Sequence, residues 1–392
     1  MKLPPFLLDH WLMAHQHGSP PIRYNLASST GPAWTLGDLV ALGGDGAREE
    51  LDKLRLSYLP PEGGKLLRER IAQLYGVDPD WVIVTTGGSE ALSMLLCLVA
   101  ERNVSVVLPF PAFPATLVMA HAWSLQVRSY TLDRNLRFEQ TADEVLRCIN
   151  KMTRLVLVNT PHNPTGSVMA EQEMARLAAS LGQRGIPLVV DEVYHPLYFG
   201  AQIPSAAKFP NTIVVSDFSK AFSLSGLRVG WIIDRDPIRR ERLIDLRSYF
   251  TISGSPLTEA LAAHTLAHRE AVLLRLNEVA KANLVLLSHF MNDHRDMIGW
   301  VPPSGGTVAF PWLLDKRNAR PLCRALAREG VLMAPGDCFG APEHFRVGFG
   351  AQASGFQEAL EISSRVVASA WQTPEDSDGA PAAMNMPAAH TS

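Results

Sequence analysis

Residues 214–231 read VVSDFSKAFSLSGLRVGW and set one lysine, Lys220, just past the apolar run 213–215 and ahead of Phe222, Leu224 and Leu227. An ammonium carried partly indoors must be paired or do chemistry, and a nucleophilic amine needs a depressed pKa. Burial beside Arg228, eight residues on, would depress it. Other unusual residues also follow strand-like runs. After 81–85 comes TGGSEAL, where Gly87 and Gly88 allow a tight turn and Ser89 opens a helix. The free N–H groups of that helix could hold a phosphate or take an ordinary cap. After 154–159 comes NTPHNPTG, whose prolines fix a projecting loop, so that Asn163 either presents its amide to a ligand or is scaffolding. After 187–191 comes VVDEVYHP, where Asp191 and Tyr194 could reach a planar cofactor above a sheet. A buried carboxylate needs a partner; Asp191 would find one in a protonated ring nitrogen, or else cap the next turn. Hydride and metal chemistry have no comparable set. The twelve histidines form no HExxH, no GxGxxG follows the first strand, and Cys97, Cys148, Cys323 and Cys338 lack metal-ligand spacing.

Such residues need a frame that gathers them. Functional groups of an open α/β sheet collect beyond the carboxyl ends of its strands. Here apolar runs at 81–85, 104–108, 154–159, 187–191, 212–216 and 227–233 alternate with helical periods such as Met174, Leu177 and Leu181. The pattern predicts a mostly parallel, helix-covered sheet. Residues 258–290 read as nearly continuous helix joining two domains, and short strands at 306–312 and 344–349 with a helix at 319–328 form a smaller domain. The expected division is an N-terminal segment, 1–45, joining the small domain; a large cofactor-binding domain, 46–285; the small domain, 286–371; and a disordered tail, 372–392. With 392 residues, 47% hydrophobic and 19% charged, the chain can bury two cores. A net charge of −3 offers no general attraction to nucleic acid or an anionic membrane. The longest helix-like apolar stretch, 91–100, is too short to span a bilayer, no secretory leader is visible, and the cysteine pattern suits a reduced cytoplasmic protein.

Taken in order, TTGGSEAL, PFPAFP, NTPHNPTG, DEVY, SKAFSLSGLRVG and FRVGF resemble the class I/II aminotransferases, fold type I enzymes that use pyridoxal 5′-phosphate; the resemblance runs from about Tyr24 to Val367. It implies an α/β fold with a mostly parallel seven-stranded sheet, helices on both faces and a smaller α+β domain, assembled as a homodimer with active sites at the subunit interface. Lys220 would be the internal aldimine lysine, Asp191 the partner of the pyridine nitrogen, and Tyr194 and Asn163 the partners of the 3′-oxygen. Phe113 would stack on the ring, Gly88, Ser89 and Arg228 would hold the phosphate, and Tyr58 would reach the phosphate of the neighbouring subunit. Arg346 would bind the substrate α-carboxylate. The implied activity moves an α-amino group between an L-amino acid and a 2-oxoacid, with Lys220, Asp191 and Tyr194 catalytic.

One position departs from the family. Three residues before the lysine, where Ser or Thr usually helps hold the phosphate, stands Asp217, whose charge repels a phosphate. Either it pairs with Arg228 or another cation, or it faces the substrate and receives a positively charged side chain. The same substitution is found in superfamily members that oxidise or cyclise arginine or hydroxyarginine, and PPFLLDHWL is similar to the start of capreomycidine synthases. Asp9 in that stretch would either add a second carboxylate near the site or lie on a solvated helix face. A guanidinium fits paired carboxylates bidentately, so an oxidase or cyclase is the alternative function. A catalytically silent ligand-binding member is a further one, opposed by the presence of Lys220 with Asp191.

Overall fold

The computed structural model describes residues 3–16 and 18–372, so the expected tail lies almost wholly outside the described residues. The strands of its main sheet are, in chain order, β1 (Val82–Thr85), β2 (Ser105–Phe110), β3 (Gln126–Thr131), β4 (Thr153–Asn159), β5 (Leu188–Asp191), β6 (Thr212–Asp217) and β7 (Gly230–Asp234). Their spatial order in this 7-stranded sheet is β1-β7-β6-β5-β4-β2-β3. All pairings are parallel except those of β7, which runs antiparallel to both β1 and β6. The strands read as continuous apolar runs because both faces are covered. Val82, Val84, Val214 and Ile233 enter one buried cluster, while Ile83, Ile213, Val215 and Ile232 enter another.

Three local features differ from the sequence reading. Strand β3 is an edge strand paired only to β2, and its residues QVRSYT, mostly part-exposed, make no apolar run. The helix after β1 spans Gly87–Leu98, so it begins before Ser89. The long helical stretch is two helices, Pro256–Ala267 and Arg269–Asp293, parted at His268 with no glycine or proline to mark the break.

A third buried cluster joins both ends of the described chain. Leu8 and Trp11 of the helix Leu7–Gln16, with Leu26, pack among Phe290, Phe310, Leu326 and Phe345, and Trp11 Nε1 donates to Met333 O at 2.9 Å. The strand Phe345–Gly348 lies between Val308–Ala309 and Ala334–Pro335 in an antiparallel sheet. Among the described residues no helix is long and apolar enough to cross a membrane.

Candidate active site

The main sheet brings several of the predicted residues to one rim. Registers Asn159↔Asp191 and Asp191↔Val215 align the carboxyl ends of β4, β5 and β6. Because β7 is reversed, its first residue, Gly230, pairs with both Asp217 and Thr85, so Arg228 arrives at the same rim. Gly230 has to be glycine: a Cβ there would sit 2.6 Å from the Gly87 carbonyl carbon.

Lys220 is part-buried, and its Nζ donates to Ser29 Oγ at 2.8 Å. Burial carries its ammonium down from 10.5 to about 8, with Asp217 and Asp191 opposing and Arg346 and Arg228 assisting. The stronger cationic neighbour is thus Arg346, where the sequence suggested Arg228. Asp191 Oδ1 accepts the Val193 N–H at 3.1 Å. Burial lifts its carboxyl from 3.8 to about 7; Asp217 adds to the rise, and the Val193 amide and Lys220 oppose it.

Arg346 is 2% exposed. Its Nη1 donates to Asn163 Oδ1 at 3.0 Å, its Nη2 to Ala27 O at 2.6 Å, and its Nε has no partner. The guanidinium lies over the Phe339 ring, 5.0 Å from the centroid. No described carboxylate pairs with it, and burial pushes its pKa below the usual value. Tyr194, fully buried, is pushed up to about 12 by burial, and its hydroxyl donates to Ser29 O at 3.4 Å. Thr307 Oγ1 donates to the same carbonyl at 2.9 Å. Sequence reasoning passed over Ser29, Ala27 and Thr307, because two of them contribute backbone carbonyls that carry no residue signature.

At the opposite end Gly87 adopts φ +78° and packs under Arg228 Nη2. Arg228 is exposed and donates Nη1 to Ser225 O at 3.1 Å; Ser89 is exposed in the first helical turn. Asp217 does not take the first of its two expected arrangements, an ion pair with Arg228. Its carboxylate accepts the Gly88 N–H at 3.2 Å, the Ser219 N–H at 2.8 Å and the Ser219 hydroxyl at 2.9 Å. Those donors are nearer than any cation, so no ion pair with Arg228 forms. Phe113 is part-exposed and meets the Phe6 ring edge-on at 5.9 Å. Tyr58 is 82% exposed. Asp9 lies on the exposed side of its helix, its pKa raised by partial burial against an opposing effect of His10, and makes no hydrogen bond or ion pair with the other candidates. Among the described residues no His, Cys, Asp and Glu group could hold a metal.

The family profile of class I and II aminotransferases matches residues 45–362. The chain belongs to that family. It is 32% identical to capreomycidine synthase of Streptomyces vinaceus over 356 residues, 88% of this chain and 90% of that protein. It is 30% identical to histidinol-phosphate aminotransferase 1 of Mesorhizobium japonicum, over 82% of this chain and 84% of that one. Among solved structures, a PLP-dependent aminotransferase from Streptococcus suis superposes with a TM-score of 0.85 at 25% identity, covering 96% of this chain and 100% of that one. Family membership makes this protein a pyridoxal 5′-phosphate-dependent enzyme of amino-group transfer between an amino acid and a 2-oxoacid. The rim fits that cofactor: Asp191 is a desolvated carboxylate, Lys220 an amine with a lowered pKa, and the helix start at Gly87 lies against Arg228, although the Gly88 amide is taken by Asp217.

Proposed function

We propose that Lys220, Asp191 and Arg346 are the reacting core of an α-amino-acid aminotransferase. The observation that carries this reading is the buried Arg346 guanidinium, with no carboxylate partner and a free Nε, joined to Lys220 through the 27–29 segment. A cation so placed is costly until an anion arrives, and a substrate α-carboxylate is such an anion. Lys220 would carry the cofactor and, once displaced by the amino donor, hold the α-proton on Nζ; a pKa of about 8 leaves part of the amine neutral near pH 7. Asp191 would hold the proton of the ring nitrogen, Tyr194 and Asn163 would face the 3′-oxygen, and Phe113 would cover the ring. Gly88, Ser89 and Arg228 would take the phosphate. When bound, the cofactor supplies an electron sink for the pair left behind by the α-proton.

We further propose a homodimer in which Tyr58 completes the neighbouring site. Leu56, Tyr58 and Tyr249 are 80%, 82% and 88% exposed, and the 61–64 segment is tied to the helices Pro237–Phe250 and Pro256–Ala267 by Arg247 to Pro61 O and Gly64 N–H to Glu259. Four free thiols suit a reducing, cytoplasmic setting. The shared core of Leu8, Trp11, Phe290 and Phe345 supports a small domain, 286–371, joined by segment 1–45.

A substrate screen on purified holoenzyme tests the reaction, with spectra and product masses read together. Loss of the yellow band with an amino donor, and one new amino acid per 2-oxoacid consumed, is the expected result. Product formed without acceptor, with oxygen use or ring closure, would favour a second reading, an oxidase or cyclase of arginine-type substrates. That reading draws on the likeness to capreomycidine synthase and the buried charge of Asp217. Its difficulty is that both Asp217 oxygens already accept hydrogen bonds from the chain.

A further inference from the structure

The segment 26–31, LASSTG, threads the rim and touches three of the proposed working groups. Ala27 O takes Arg346, Ser29 O takes Tyr194 and Thr307, and Gly348 N–H returns to Leu26 O at 2.6 Å. The backbone of Ser29 is therefore held from several sides, and its 9% exposed side chain has a fixed place. The one side-chain hydroxyl of this segment that meets Lys220 is Ser29 Oγ, accepting from Nζ at 2.8 Å.

We propose that Ser29 is a positioning residue for the lysine: its hydroxyl oxygen receives Nζ whenever the amine is free of the cofactor, and holds it where the α-proton is transferred. This rests on Lys220 being the cofactor-bearing lysine. In that transfer Nζ would take the α-proton on its lone pair, and the cofactor, when bound, would supply the sink for the electrons left behind. The resulting ammonium would donate to Ser29 Oγ, from which position Nζ could give the same proton back. A hydroxyl acceptor favours the charged amine, so Ser29 opposes the effect of burial on Lys220. The charged and titratable groups around Nζ are Asp217 and Asp191, which also favour the charge, and Arg346 and Arg228, which oppose it; Tyr194 stands on the far side of the Ser29 carbonyl.

The test compares the full-length native enzyme with Ser29→Ala, Ser29→Cys and Ser29→Thr. Cysteine keeps the volume with a poor acceptor, and threonine restores the hydroxyl. Two quantities are measured: the pH midpoint for recapture of pyridoxal 5′-phosphate after stripping, and the rate of α-hydrogen exchange of an amino acid in deuterated water. For Ala and Cys the midpoint should fall by about half a unit, and exchange should slow about tenfold in kcat with KM within about twofold, the scale of one lost charge-assisted hydrogen bond. Thr should bring both back to within about twofold of native. Native midpoint and exchange in Ser29→Ala would overturn the proposal, as would a Thr enzyme as impaired as Ala. A borohydride-stable adduct persisting in Lys220→Ala would instead remove the lysine assignment beneath it, whatever the Ser29 variants do.

Discussion

Asp191 and Asp217 end neighbouring parallel strands of one sheet, yet the first accepts a single backbone amide while the second accepts two amides and a hydroxyl. Burial leaves Asp191 short of positive charge and lifts its carboxyl to about 7. Asp217 is also buried, at 7% exposure, but the chain has supplied its donors. One carboxylate is satisfied from within and the other waits for something from outside. A bound cofactor would thus find attraction at its ring and competition for the Gly88 amide at its phosphate.

The comparison assumes that both carboxylates flank the working lysine, so the largest effect is expected at Lys220. Lys220→Ala should abolish the borohydride-fixed cofactor and cut turnover at least ~10³-fold. Mapping of the reduced adduct to another lysine by mass spectrometry would break the comparison outright. Next comes Asp191→Asn, expected to lower turnover about 10²–10³-fold, as for a buried pair deprived of one partner. The same variant should stabilise the cofactor-free protein. The folded pKa of Asp191 is raised, from 3.8 to about 7, so its ionisation costs stability as pH rises through that window. The gain in Tm over native should accordingly grow from about pH 4 to pH 7 and then level off; a constant gain would contradict the assigned burial.

Arg346→Gln should raise KM for the amino donor about 10–100-fold, with the cofactor spectrum unaltered, because the lost contact is a charge-assisted one to substrate. Cofactor loss in this variant would blur the line between the two ends of the rim. The smallest effect belongs to Asp217→Ser, which should tighten cofactor retention by roughly 5–10-fold, the worth of one freed amide and a removed like charge, and change all donors about equally. A selective loss of arginine turnover would show Asp217 turned toward substrate and reverse its half of the comparison.

The strand positions and the rim were largely legible because buried parallel strands leave apolar runs and their carboxyl ends leave polar motifs. Strand β3 left no such trace: Gln126, Arg128 and Ser129 stand on an edge that needs no second apolar face. The break at His268 was hidden too, since its neighbours all suit a helix and no residue there forbids continuation. At the rim, Lys220, Asp191, Asn163 and Tyr194 could be picked out by chemistry and setting, whereas Arg346 came only with the family resemblance. Ser29 could not, because serine between Ser28 and Thr30 is unremarkable until the fold lays it against the lysine. The orientation of Asp217 also required coordinates, for it depends on the distance to the Gly88 amide, 129 residues away in sequence.

The reversal of β7 makes the link from Asp217 to Gly230 a hairpin, closed at its root by Phe218 N–H to Val229 O at 3.0 Å, and both Lys220 and Arg228 ride on it. Strands β1 to β4 instead leave the rim by crossovers that carry an α-helix, whose far half is remote from the rim. Length changes can be absorbed there by surface loops. In the hairpin a single inserted or deleted residue would alter the spacing of amine and guanidinium together. For protein engineering, new chain termini or grafted peptides belong in the crossovers; a cut between Lys220 and Arg228 would unhitch two working charges with one break.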